Sequence, residues 1–430
     1  MIRPGGILSP VIEPVIESLT SAITAALGGL PSTPFTPLVT VACGNSIAVQ
    51  SKWLGSFWGW GGELHVANLF AGGAMRFKRI TPTTRSDLNG IYGYSGQTLE
   101  TINSDIQAQR IDPINAAGVT PELVVGLALA ENDIVSSATA AQIHARIDTW
   151  VTKIQTTWPS AKILLVTPRP SFSNNTEALV AKYQSVRDYT LSLENGATIL
   201  VARGDTYENP AAPGTPLSSY TDVSVHPNAK GAMVNARAIA RKLRRLGVAS
   251  FSDSVLATNR TLTGSVATSG TNLTGTRPTG TSFPGSANGT FVTEALNPGW
   301  RVTFNNNTAT ANLDIGTFQL PTEAIAGAPT YISPYLKVRI VSGAENLRAI
   351  ELWPRILDGG GNTFQYHIQQ QTLDAEPDFQ NGDVLTFVCP PKAANSGSIT
   401  QLINYIRPKM KTTTGATTVE ILDHGYMVVT

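Results

Sequence analysis

The chain has 430 residues, 42% hydrophobic and 14% charged, with a net charge of +1. That length suits two domains and a short third element, and near-neutrality gives no long-range steering toward nucleic acid or an anionic membrane. Two distant cysteines, Cys43 and Cys389, and five scattered histidines imply neither a disulfide framework nor a metal site, and no cofactor is expected.

Within residues 1–37, Leu8, Ile12, Val15, Leu19, Ile23 and Leu27 recur as on one helix face. Pro10 and Pro14 weaken the first turns, leaving Ile16–Leu27 as the better helix. Gly28-Gly29 stops it, and Pro31, Pro34 and Pro37 make a stiff linker. The segment either lies on its own domain or serves attachment or oligomerisation. Prolines and glutamates interrupt its apolar stretch and no basic region precedes it, so it is not expected to be a secretory signal. No run of about 18 apolar residues occurs, and no membrane insertion is expected.

Over residues 38–249, short apolar runs at Leu38–Ala42, Leu123–Leu129, Ile163–Thr167 and Ala197–Val201 resemble buried parallel strands. Helical patterns lie between them, near Gly62–Phe70, Ala140–Thr156, Thr176–Leu193 and Ala229–Leu246. This repetition predicts a parallel sheet covered by helices on both faces. Cys43, inside the first strand, reads as a small buried hydrophobe. Residues 250–430 differ. A Ser/Thr/Gly-rich stretch over 252–290 gives way to alternating runs at Trp300–Phe304, Tyr335–Val341 and Val384–Val388, divided by Gly/Asn/Pro turns. An antiparallel β-sandwich is expected there.

Functional residues of parallel α/β sheets gather at the carboxyl ends of strands. Ser46, after Gly44-Asn45, is either a helix N-cap or an exposed nucleophile. Gly96, in Gly93-Tyr94-Ser95-Gly96, belongs to an ordinary turn or lets a backbone N–H approach a ligand closely. Asn132, in Ala130-Glu131-Asn132-Asp133, caps a turn or donates its amide to an oxyanion. His226 lies in a Ser/Asp-rich loop before Pro227-Asn228 and a helix start, a setting that favours an exposed, catalytic imidazole.

The order Ser46, Gly96, Asn132, His226 across one α/β domain resembles the SGNH (GDSL-type) esterase/lipase superfamily. Ala74–Arg79 is similar to that family's strand before its second block. The resemblance covers just under half the chain and implies a flavodoxin-like, three-layer αβα domain. It further implies that Ser46 attacks an ester carbonyl while His226 takes and returns the proton. Asp222 would orient the imidazole, and the N–H groups of Ser46 and Gly96 with the Asn132 amide would hold the oxyanion. Three positions depart from the family pattern: Asn45 replaces aspartate, Ala130 replaces glycine, and Asp222 stands four residues before the histidine instead of three. Either a one-residue bulge lets Asp222 reach His226, or a Ser–His dyad operates with a backbone carbonyl or Ser224 orienting the ring.

Trp53, Trp58 and Trp60 follow the nucleophile in a glycine-rich stretch, where their faces either stack on sugar rings or pack on the sheet edge. No long apolar lid segment suits a long acyl chain. An esterase domain joined to a jelly-roll-like β-domain resembles carbohydrate-active architecture, and the whole resembles a phage tail-fibre or tailspike protein. The expected activity is O-acetyl removal from a bacterial surface polysaccharide, outside the cell and on the virion. Residues 1–37 would then make the tail or baseplate attachment, within a homotrimer. Alternatives are a catalytically silent receptor-binding tail protein and a lipase or thioesterase of the same fold.

Overall fold

In the computed structural model the N-terminal half describes residues 34–35, 37–45, 62–77, 91–94, 96–221, 226–246 and 248–249. Beyond these it describes 260–270, 272–285, 289–306, 317–325, 331–357, 362–363, 366–368, 378–388, 392–393, 399–411 and 415–429. The expected helix Ile16–Leu27 lies outside them.

Five parallel ladders build the central sheet. Its strands are β1 (Leu38–Asn45), β2 (Met75–Phe77), β3 (Ile91–Tyr94), β4 (Leu123–Leu127), β5 (Lys162–Val166) and β6 (Ile199–Ala202). The order runs β2-β1-β4-β5-β6, with β3 beside the far end of β1. Leu38–Thr40 pairs with β2 and Ala42–Asn45 with β3, so two short strands share one edge of β1. Counted as one interrupted strand, they give the 2-1-3-4-5 order of flavodoxin-like sheets, whose ligand crevice opens where the winding reverses. Here the reversal falls between β1 and β4.

Alternation along the strands assigns each face its helices. Ala42, Leu123, Val125, Leu164 and Leu200 face α1 (Gly62–Phe70) and α6 (Ala229–Arg244). Val41, Cys43, Val124, Ile163 and Val201 face α2 (Leu99–Ile106), α4 (Ala140–Thr157) and α5 (Glu177–Ser192). A short α3 (Glu131–Ile134) fills the turn after β4. The three-layer expectation holds, and the elements differ from it chiefly at their ends. Thr176 and Leu193, read as helical, are the N-cap and C-cap of α5. β4 stops at Leu127 because Ala128 takes φ 55°, where the strand cannot continue. Burial pushes the Cys43 thiol up to about 11, which leaves it an inert core group.

The C-terminal region is all-β, in two sheets whose inner faces share a core. Trp300 of the larger sheet meets Phe318 of the smaller edge-on, with ring centroids 5.6 Å apart. Asn404 Nδ2 donates across to the Tyr335 carbonyl at 3.2 Å. Among the described residues one pairing departs from the antiparallel expectation: Leu273–Gly275 runs parallel to Phe291–Thr293. Gly275, at φ 109°, permits it, since a Cβ there would lie 1.9 Å from the Thr293 carbonyl oxygen. This region packs on the α1/α6 face. Arg237 of α6 pairs with Asp383 at 2.5 and 2.9 Å and covers the Phe70 ring of α1.

Candidate active site

Strand register brings the sequence blocks to one level. Gly44 is the partner of both Gly93 and Leu127, and Asn45 is the partner of Tyr94. The segments leaving β1, β3 and β4 therefore emerge side by side at the carboxyl edge, at the reversal of winding. Ser46 is the residue after Asn45 and lies outside the described residues, as do Asp222 and the tryptophans Trp53, Trp58 and Trp60. Gly96, Asn132 and His226 are described.

Gly96 is exposed and turns at φ 75°, which strains any residue with a Cβ. The turn is held from two sides. Gln97 Nε2 donates to Asp105 at 2.9 Å, while Arg110 Nη2 donates to Gln97 Oε1 at 2.8 Å and its Nη1 pairs with Asp105. Asn132 Nδ2 donates to the Gln97 carbonyl at 2.7 Å, so the second and third blocks are in direct contact. A primary amide carries two hydrogens, and this bond occupies one.

The next residue, Asp133, reinforces the joint. Its buried carboxylate accepts the Leu99 N–H at the start of α2 at 2.5 Å and the Arg146 guanidinium at 2.7 Å. Burial raises its pKa, against the lowering effect of the Leu99 amide and Arg146. Asp133 thereby satisfies an otherwise open helix-start donor while locking the asparagine's backbone to the glycine turn.

His226 is half-buried, three residues ahead of the first residue of α6. Its flanks are fixed: Thr221 and Pro227 are bridge partners, and the Asn228 N–H donates to the Tyr220 carbonyl at 3.0 Å. Asn228 caps α6 by accepting the Gly231 N–H at 3.1 Å. Gly231 has no room for a side chain, because a Cβ would stand 2.0 Å from the Tyr220 oxygen. The sequence His226-Pro227-Asn228-Ala229-Lys230-Gly231 is thus a bracket that fixes where the imidazole's backbone starts.

Residues 42–234 match the model of the GDSL-like Lipase/Acylhydrolase family. The α/β domain belongs to the GDSL/SGNH hydrolase family. All of Ser46, Gly96, Asn132 and His226 fall within the matched span of this GDSL/SGNH domain. Among solved structures, the chain is similar to a carbohydrate esterase family 3 protein from Talaromyces cellulolyticus, at 18% identity over 49% of this chain and 97% of that one, TM-score 0.36. It is similar to a GDSL-like lipase from Bacteroides thetaiotaomicron, at 16% identity over 53% and 97%, TM-score 0.35. A catalytic mutant of an acetylxylan esterase from Geobacillus stearothermophilus gives 18% over 48% and 94%, TM-score 0.34. At such scores these likenesses carry no weight for what the chain acts on. No curated protein matches the sequence.

Sequence reading missed a buried ion cluster beside the GDSL/SGNH constellation. Arg169 follows β5 between Pro168 and Pro170. Its Nε and Nη2 donate to Glu63 at 3.1 and 2.6 Å, and its Nη1 donates to Glu131 at 2.9 Å. Burial raises both carboxyls, against the lowering effect of Arg169. Burial works to lower Arg169, but Glu63 and then Glu131 hold its pKa above the ordinary arginine value. The Thr-Pro-Arg-Pro stretch at a strand end was the one available signal, and it names no partner.

Proposed function

We propose that the chain is a serine ester hydrolase that removes O-acetyl groups from a polysaccharide. The observation that carries the esterase reading is the alignment of β1, β3 and β4 at one edge, with Asn132 bonded to the turn containing Gly96. In this mechanism Ser46 Oγ attacks the acetyl carbonyl as His226 takes its proton. The negative charge moves to the carbonyl oxygen, where the second Asn132 amide hydrogen and the Ser46 and Gly96 N–H groups receive it. Collapse expels the sugar alkoxide, which leaves with the proton from His226. Water, deprotonated by His226, then releases acetate and restores Ser46. Asp222 holds the imidazole tautomer.

The polysaccharide part of the proposal is supported by Trp53, Trp58 and Trp60 close behind the nucleophile, and by the β-domain docked on α1 and α6. A phage tail context extends it, with residues 1–37 attaching the chain and three copies assembling. A second reading, a catalytically silent binding protein, is favoured by one observation: Asp222 stands one position further from His226 than the family pattern has it.

The expected result is acetate release from an O-acetylated bacterial polysaccharide, and faster turnover of 4-nitrophenyl acetate than of the octanoate. Preference for the octanoyl ester contradicts a deacetylase. No turnover of either ester favours the silent protein.

A further inference from the structure

We propose that Arg169 is a positioning residue for ester hydrolysis, acting through Asn132. This rests on the esterase reading above. Arg169 is 1% exposed and cannot meet a polymeric substrate, so its influence passes through what it holds. Its Nη1 grips Glu131, the residue directly before Asn132 and the first of α3. Its other two nitrogens grip both oxygens of Glu63, in the first turn of α1, the first described helix after the nucleophile.

The anchor is itself rigid. Pro168 and Pro170 fix the flanking φ angles. The Thr167 N–H donates to the Ala202 carbonyl at 3.0 Å, and Thr167 Oγ1 accepts the Gly204 N–H at 2.8 Å. Glu63 also lies against Asn235 of α6, whose Oδ1 accepts the Thr206 hydroxyl at 2.5 Å. One guanidinium thus ties the asparagine segment to the helix after Ser46.

Stability alone accounts poorly for this arrangement. Buried ion pairs seldom outdo hydrophobic packing, and here two carboxyls, both raised by burial, share one cation. A planar fork that reaches two carboxylates on separate elements is a geometric device, which a single ammonium does not reproduce. Asn132 is then held at two points, at its side chain by the Gln97 carbonyl and at its backbone neighbour by Arg169.

The test is a double-mutant cycle with 4-nitrophenyl acetate on the full chain, using Arg169→Lys, Asn132→Ala and the pair, with melting curves for each. Arg169→Lys is expected to lower kcat about tenfold with KM within about twofold, since small displacements of an aligned group cost rate more than binding. In the Asn132→Ala background the same substitution is expected to change kcat by less than about twofold. An equal loss in both backgrounds, or a loss confined to KM, overturns the proposal. If Arg169→Lys fails to fold, Glu131→Gln takes its place in the cycle. It keeps the side-chain shape and replaces the carboxyl that Arg169 grips with an amide, and its expected signature is a lower kcat with an unchanged or higher melting temperature. Full activity in Glu131→Gln, or a loss that persists without Asn132, then overturns it. An inactive wild type removes the esterase reading and this inference together, whereas an active wild type with additive losses removes the inference alone.

Discussion

His226→Ala is expected to lower kcat/KM for an acetyl ester about 10⁴- to 10⁶-fold while the protein stays folded. The size follows from the proposed role: without the imidazole, Ser46 would stay a neutral alcohol and no base at the proposed site would return a proton to the leaving group. The fold should tolerate the change, because the bracket around His226 is made by other residues. Thr221 pairs with Pro227, Asn228 caps α6, and Gly231 packs under Tyr220, none of them through the imidazole. Asp222→Asn separates the two arrangements of the histidine's partner. A triad predicts a loss of about 10⁴, because the amide stabilises the wrong tautomer. A dyad oriented by a carbonyl or Ser224 predicts a loss of about tenfold or less, since the carboxylate then makes no contact with the ring. Steady-state kinetics with 4-nitrophenyl acetate reads both, and full activity in His226→Ala would contradict the mechanism.

Asn132→Ala carries the second largest effect, a fall in kcat of about 10²–10³ with KM little changed. The asparagine spends one amide hydrogen on the Gln97 carbonyl, which fixes the amide plane, and in the proposed mechanism the other is left for the oxyanion. Because that charge develops only in the transition state, the loss belongs in kcat. Stability should drop by about 1 kcal/mol, the ordinary net value of one hydrogen bond. Asn132→Asp is expected to do worse than alanine. It sets a carboxylate where negative charge develops and gives the Gln97 oxygen no donor. A variant that raises KM and keeps kcat would instead make Asn132 a ground-state binding residue.

Local pattern made part of this legible. Gly62–Phe70 was read as it stands, because its apolar positions follow a helical period and glycine precedes it. Ala140 starts α4 where expected, since Thr139 and Gln142 form a reciprocal capping box. The strand Ile91–Tyr94 was not legible as a strand: four residues with an internal glycine carry little periodicity, and β1 supplies their partner. The block order singled out Gly96 and Asn132 as candidates, but their link through Gln97 depends on β3 and β4 ending level with β1. The Arg169 cluster was beyond sequence reading altogether. Its partners lie 106 and 38 residues away, and only the sheet gathers them at one edge. Gly275 likewise gave no warning of its parallel pair, because the close neighbour is backbone from Thr293.

The central claim is that Ser46 is an activated nucleophile. Mass spectrometry of the full chain after treatment with a fluorophosphonate addresses it most directly, since that reagent phosphonylates a serine whose proton is removed by an adjacent base. The account predicts one adduct, on the peptide that carries Ser46, absent from Ser46→Ala and from His226→Ala. No adduct on the wild-type protein, or an adduct on a different serine while ester hydrolysis persists, would contradict it.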